Sequence, residues 1–381
     1  MNMAIPDARF GVIGMIRFTL AMYGRILASC LAVRGARKVF WIWLLLVPVY
    51  ACFTRLTLLM DRLFFPAYRR VEVKSPIFIL GHPRSGTTFL QRLLTQTRDF
   101  AAFETWEMAF PALTVRRLIT PLVRRLAERG KGVVVEAEIG HQVRLTEIDE
   151  DEALFFHLLD TEMITTISPI GFVDRELDRL LFHDQQPHEE CAVRFFKDLW
   201  KRQLLHTGRP RLISKLPPSA LRTKTLLKVF PDARIIYLVR SPLEVISSFL
   251  SLHRNGIQRV VGLDRLSEAH KRFFFERKYR VSIRWYTYMH QLIEKHEIPE
   301  DQLLEITYDE QIRDLRGTIR KIVDFTGIDI SRELQARIDA MCAAPPRYQR
   351  EHTNYALEEF YLSEERIRSD LKPIFDRYGF R

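Results

Sequence analysis

The sequence predicts an α/β protein of three layers, with a mainly parallel central sheet between helices and a hydrophobic helical segment ahead of it. Three stretches predict this. Pro76 to Leu94 reads PIFILGHPRSGTTFLQRLL, an apolar run short enough for a buried strand, a glycine-bounded loop, and then Phe89, Leu90, Leu93 and Leu94 at helical spacing. Ala233 to Ser251 reads ARIIYLVRSPLEVISSFLS, again a strand that ends in an arginine and runs into a helix after Pro242. Leu212 to Pro218 reads LISKLPP, a strand that ends in a lysine, where the prolines disfavour helix at the residues before them. Cations and loops at the carboxyl ends of parallel strands are where such sheets hold ligands.

The first loop is built for an anion. The first N–H groups of a helix lack intrahelical partners and the dipole makes that end positive. Glycine lets the backbone approach the ligand closely. Gly81 and Gly86 have the spacing of a nucleotide-triphosphate loop of the form G-x-x-x-x-G-K-[ST], yet Thr87 stands where the lysine belongs. Arg84 supplies a cation whose fork binds two oxygens of a phosphate or sulfate. The loop therefore suits a 5′-phosphate group without a triphosphate tail, a P-loop-like variant.

PRSGTT at 83–88, followed by R-S-P-x-x-x-x-S-S at 240–248, resembles the sulfotransferases that use 3′-phosphoadenosine 5′-phosphosulfate (PAPS), and most of all their bacterial and tyrosylprotein-type branches. The resemblance runs from about Ser75 to the C-terminus. It implies that Arg84, Ser85, Gly86, Thr87, Thr88 and Phe89 hold the 5′-phosphosulfate, and that Arg240 and Ser248 hold the 3′-phosphate. The motif sets its serine eight residues after its arginine, which selects Ser248 over Ser247. Lys215-Leu216-Pro217 matches the K-x-P of the tyrosylprotein-type enzymes and implies a lysine that stabilises charge on the leaving oxygen. The segment 352–358, HTNYALE, resembles a loop near the nucleotide, so Arg347, Arg350 and His352 are further candidates for the 3′-phosphate. The co-substrate implied is PAPS, with no metal.

The acceptor's proton needs a base. Glu104 and Glu107, about twenty residues beyond Arg84, fit the glutamate of the tyrosylprotein-type and bacterial branches respectively. His141 is the rival, since other branches use a histidine. These three stay open. The acidic run Glu147, Asp149, Glu150, Asp151, Glu152 is expected to open a helix over 153–163. The basic pairs Arg116-Arg117 and Arg124-Arg125 read as a solvated helix face, and no nucleic-acid partner is expected.

The N-terminal fifth differs from the rest. Net charge is +11, and before residue 76 eleven Lys/Arg face three Asp/Glu, a net of +8. Sixteen uncharged residues separate Lys38 from Arg55. A spanning helix needs roughly 20 apolar residues, so this run is slightly short, and Pro48 interrupts it. A second apolar helix is expected over 10–33. A hydrophobic, basic hairpin of this kind suits an anionic membrane surface, lying on it or spanning weakly near 39–60. The other reading is an arm packed on the catalytic domain or at a homodimer contact.

The chain therefore divides into a membrane-associating segment, 1–72, with contacts through 1–65, and a catalytic domain, 73–381, in which 98–210 is a helical insertion on the acceptor side. Cys30, Cys52, Cys191 and Cys342 show no paired or metal-ligand spacing, which suits a reducing, cytoplasmic setting for the catalytic domain. The expected reaction moves a sulfuryl group from PAPS to a small-molecule, lipid or glycan hydroxyl, or to an amine. The alternatives are a nucleotide-dependent kinase and a non-catalytic, membrane-attached binding protein of the same fold.

Overall fold

A computed structural model describes residues 8–96, 100–135, 143–343 and 354–380. The central sheet has five strands, all parallel, in the order β2-β5-β1-β6-β7. The strands are β1 (Ile77–Gly81), β2 (Phe100–Ala101), β5 (Arg211–Lys215), β6 (Arg234–Val239) and β7 (Leu303–Thr307). A separate antiparallel ribbon pairs β3 (Val133–Val135) with β4 (Val143–Arg144). Because β1 and its flanking strands are covered on both faces, they read as continuous apolar runs. Ile77, Phe78, Ile79 and Leu80 are all fully buried.

Two apolar layers sandwich the sheet. On one face Ile77, Ile79, Ile213, Ile236 and Leu238 pack with Leu90, Leu93 and Leu94 of the helix Thr87–Leu94. That helix thereby buries its apolar stripe under the loop it follows, which fixes the loop against the sheet. On the other face Phe78, Leu80, Leu212 and Ile235 pack with Phe196, Trp200 and Phe230.

The N-terminal arm is part of this second core. Helix Ala8–Ala32 is followed by Arg37–Trp41, a π-helical turn Ile42–Leu46 and helix Val47–Phe64. Met22, Ile26, Val33, Trp43 and Leu58 join the same apolar cluster as the sheet. Polar contacts pin the arm as well. The Trp43 Nε1–H donates to Ile167 O at 3.3 Å, and the Tyr50 hydroxyl donates to Ala109 O at 2.5 Å. Asp61 is fully buried and accepts from the N–H groups of Leu113 and Thr114, and from Arg202 Nε at 2.8 Å. Asp61 thus caps the helix Leu113–Glu128 in place of a local N-cap, an arrangement that satisfies donors a helix start leaves open.

Two sequence expectations are corrected here. The acidic run does not open an α-helix over 153–163; Asp151–Leu158 is a 3₁₀ helix, because Asp151 and Glu152 turn inward and are fully buried. Arg116 is not on a solvated face. Its guanidinium is buried and bonds to Gln203, to Phe110 O and to Glu107 O. The arm itself packs its inner face into the core of the domain, as the reading of an arm on the catalytic domain expects.

Candidate active site

Three neighbouring strands deliver the site. β1 lies between β5 and β6, so Lys215, the loop after Gly81 and the Arg240 that follows Val239 stand side by side at one sheet edge. Adjacent strands are about 4.8 Å apart, so the three strand ends span roughly 10 Å.

The loop backbone is unusual. Gly81 has φ +147, and a Cβ there would meet Leu238 O at 2.3 Å. Gly86 has φ +88, and a Cβ there would meet the Tyr308 ring at 2.8 Å. Both positions therefore require glycine. Arg84 takes a left-handed conformation too, φ 79, although it carries a side chain. Ser85 N–H donates to His82 O at 3.1 Å, and Phe89 N–H donates to Gly86 O at 3.2 Å. Ser85 and Thr87 are buried beneath the loop.

Arg84 joins the two motifs. Its Nε–H donates to Ser248 Oγ at 3.2 Å, and its carbonyl accepts from Arg240 Nη1 at 3.2 Å. Ser247 instead donates to Tyr355 O at 3.2 Å, so it faces the C-terminal segment. Arg240 pairs with Glu244 at 2.5 Å and lies over the Tyr308 ring at 4.0 Å. The Tyr286 hydroxyl holds the Arg240 carbonyl at 2.8 Å. Arg240 is thus gripped from both sides, its guanidinium stacked on an aromatic face.

Lys215 is fully buried at the end of β5. Its ammonium donates to Thr88 Oγ1 at 2.8 Å and to Asp149 Oδ1 at 3.2 Å, and lies 3.5 Å from Glu150 Oε1. Its backbone N–H donates to Asp151 Oδ2 at 2.9 Å. Burial pushes the Asp151 carboxyl up to about 8, although the hydrogen bond from Lys215 and the Lys215 charge pull the other way. The acids at 149–151 were visible in the sequence as a cluster. Their role as the seat of Lys215 was not, because it depends on a contact 64 residues apart.

The two glutamates form a capping box on the short helix Thr105–Ala109. Glu107 is buried. It accepts from Glu104 N–H at 2.9 Å and from Gln203 Nε2 at 3.0 Å, and Arg116 lies 3.7 Å away. Glu104 is more open, its side chain 23% exposed, and accepts from Trp106 Nε1 at 2.7 Å and Arg124 at 3.0 Å. A backbone bridge to Ile148 sets Glu104 beside the segment that carries Asp149. His141, Arg347, Arg350 and His352 lie outside the described residues.

His82, inside the loop, is a packing residue. Its ring stacks on Tyr286 and meets Phe249 and Trp285 edge-on, with centroids at 5.4, 5.0 and 5.0 Å. Burial lowers its pKa to about 3, which leaves it a neutral filler of an aromatic box.

A parallel sheet with an anion loop after its middle strand and cations at both neighbouring strand ends is a P-loop-like fold with a site for a phosphorylated ligand. The chain belongs to the sulfotransferase family, whose model matches residues 76–332. It is similar to the omega-hydroxy-beta-dihydromenaquinone-9 sulfotransferase Stf3 of Mycobacterium bovis, 26% identical over 320 residues, 80% of this chain and 75% of the relative. The Mycobacterium tuberculosis protein of the same name matches equally. Among solved structures, sulfotransferase STF9 of Mycobacterium avium superposes with a TM-score of 0.68 at 21% identity, over 90% of this chain and 85% of that one. STF1 of Mycobacterium tuberculosis gives 0.64 at 17%, over 91% and 89%. These two share the fold. The protein is a PAPS-dependent sulfotransferase, which replaces the kinase and the non-catalytic alternatives.

Proposed function

We propose that the chain sulfates the hydroxyl of an apolar alcohol, with Glu104 as base, Lys215 on the leaving group, and Arg84, Arg240 and Ser248 on the donor's phosphates. The observation that carries this reading is the convergence on Arg84 of Ser248 and Arg240, with Lys215 held on Thr88 one strand away. The N–H groups of Gly86, Thr87 and Thr88, at the start of helix Thr87–Leu94, bind the 5′-phosphosulfate. Glu104 takes the acceptor's proton as its oxygen attacks sulfur. The bond from sulfur to the bridging oxygen breaks, and its electron pair stays on the 5′-phosphate. The Lys215 ammonium stabilises that charge. Both carboxylates accept hydrogen bonds, but Glu107 is set aside as base because it is buried among Gln203, Arg116 and the Glu104 N–H, whereas Glu104 keeps an open side.

The Mycobacterium bovis relative is named for a hydroxylated menaquinone, a lipid alcohol. Two helices of the arm, Gly11–Ala32 and Arg37–Phe64, are long and apolar enough to cross a membrane. Together they support a lipid acceptor and a membrane-associated enzyme, divided at about residue 72 into arm and catalytic domain. All four cysteines are unpaired, which fits a catalytic domain on the reducing, cytoplasmic side.

The test is calorimetric titration of the full chain with adenosine 3′,5′-bisphosphate and with ADP. Tight binding of the bisphosphate and at least tenfold weaker binding of ADP is expected, because ADP has nothing to offer Arg240 and Ser248. Equal affinities would overturn the assignment of the second motif.

A further inference from the structure

Helix Val47–Phe64 and the turns before it have two faces of opposite character. The inner face, Trp43, Thr54, Thr57, Leu58 and Asp61, is buried against the domain. The outer face carries Trp41, Leu45, Leu46, Val49, Phe53, Leu56 and Leu63, all exposed, with Trp41 at 56%. From Trp41 to Leu63 this stripe runs roughly 33 Å at 1.5 Å per residue. Leu118 and Leu122, exposed on the neighbouring helix Leu113–Glu128, widen it. Between Lys38 and Asp61 the only charged residue is Arg55. Its guanidinium folds back over the Phe195 ring at 5.0 Å and donates to His157 O at 3.2 Å. Exposed cations sit at the rim: Arg34, Arg37 and Lys38 at one end, Arg62, Arg69 and Arg70 at the other, and Arg117 and Arg125 beside the two leucines.

We propose that this face seats the enzyme on an anionic bilayer with helix Val47–Phe64 lying in the plane of the interface, so that the acceptor alcohol enters the site directly from lipid. The inference rests on the proposed function and adds the partner and the route. Spanning is incompatible with the inner face, because a helix surrounded by hydrocarbon would have to strip Asp61 from Arg202 and from two backbone N–H groups. A second copy of this chain would set one basic rim against another, whereas anionic headgroups complement it.

The route follows from what lies beneath. Helix Thr105–Ala109 begins at Glu104, and its end meets the stripe through Tyr50 on Ala109 O. The 3₁₀ helix Asp151–Leu158 follows the acids that hold Lys215, and near its end His157 stacks on Tyr50 with centroids 5.9 Å apart. Six rises of about 2.0 Å from Asp151 to His157 place the Tyr50 contact roughly 12 Å from the acids that hold Lys215. An alcohol with a long apolar tail bridges that distance with its tail still in the membrane.

Trp41 makes the test direct, since the other four tryptophans, at 43, 106, 200 and 285, are buried. The full chain would be floated with vesicles of phosphatidylcholine alone or with phosphatidylglycerol, then with lipids brominated at shallow or deep acyl positions. The expected result is flotation with the anionic vesicles, weakened by salt, and Trp41 emission quenched more by shallow than by deep bromines, with Trp41→Phe removing the quenching. Leu46→Glu/Leu56→Glu should float at least tenfold less and raise the apparent KM for a vesicle-borne long-chain alcohol, while kcat on a water-soluble alcohol and bisphosphate affinity stay unchanged. No flotation, stronger quenching by deep bromines, or a stable dimer that shields Trp41 without lipid would each overturn the inference. Loss of bisphosphate binding in the wild type would instead break the proposed function beneath it.

Discussion

The proposed donor side of the site hangs from the ends of three adjacent parallel strands, whereas the proposed acceptor side hangs from short helices that are joined by side chains. On the donor side Arg84, Lys215 and Arg240 are placed by backbone hydrogen bonding in β1, β5 and β6, and side chains only finish the job. On the acceptor side Glu104 sits on a five-residue helix whose orientation depends on Glu107, Gln203 and Arg116. The difference teaches where variation is tolerated. A sheet edge fixes the common chemistry, and a polar scaffold of small elements can be re-cut for a new acceptor without disturbing it.

The sharpest way to break this comparison is at the two glutamates. Glu104→Gln should lower kcat by about 10²–10⁴, the usual worth of a general base, with the melting temperature nearly unchanged. Glu107→Ala should do the reverse in kind. It leaves the Glu104 N–H and Gln203 without a buried acceptor and should cost about 1–3 kcal/mol of stability, read by denaturant unfolding. If Glu107→Gln loses activity at full stability while Glu104→Gln keeps it, the roles are exchanged. Lys215→Met comes next. A fall in kcat of about 10²–10³ is expected, the worth of one charge-stabilising donor, with bisphosphate binding retained as proof of folding.

Arg240→Ala should then weaken bisphosphate binding by about 1.5–3 kcal/mol, the range for a charged hydrogen bond, and leave ADP affinity as it was. The smallest effect belongs to Asp151. Its folded pKa of about 8 stands above the ordinary 3.8, so the folded state holds a proton that the unfolded chain releases. Its contribution is therefore full below about pH 4 and is lost as pH rises toward 8. Asp151→Asn should flatten the fall of melting temperature across that window; an unchanged slope would show that the carboxyl is already ionised at neutral pH.

The strands and loop that carry the proposed donor side were legible in the sequence because their physics is local. A short apolar run predicted β1 from Ile77 and β6 from Ile235, and the strands observed are Ile77–Gly81 and Arg234–Val239. Arg240 and the loop follow at fixed offsets. β2 escaped notice because two residues, Phe100 and Ala101, carry no pattern. Arg116 looked like one half of a surface pair because its acceptors come from Gln203, Phe110 and Glu107, and only the last two are near in sequence. The arm's composition announced an apolar surface, but not that a single aspartate, Asp61, ties its inner face to two other helices. At Arg116 and Asp61, what sequence patterns missed was a partner supplied from far along the chain.

Arg84 sets backbone comfort against the proposed chemistry at one residue. Its left-handed backbone, φ 79, costs an L-residue roughly 1–2 kcal/mol that glycine would not incur. Under the proposed role, Arg84→Gly would trade donor binding for heat resistance, so a stability screen run without an activity screen would favour the variant that has lost its guanidinium.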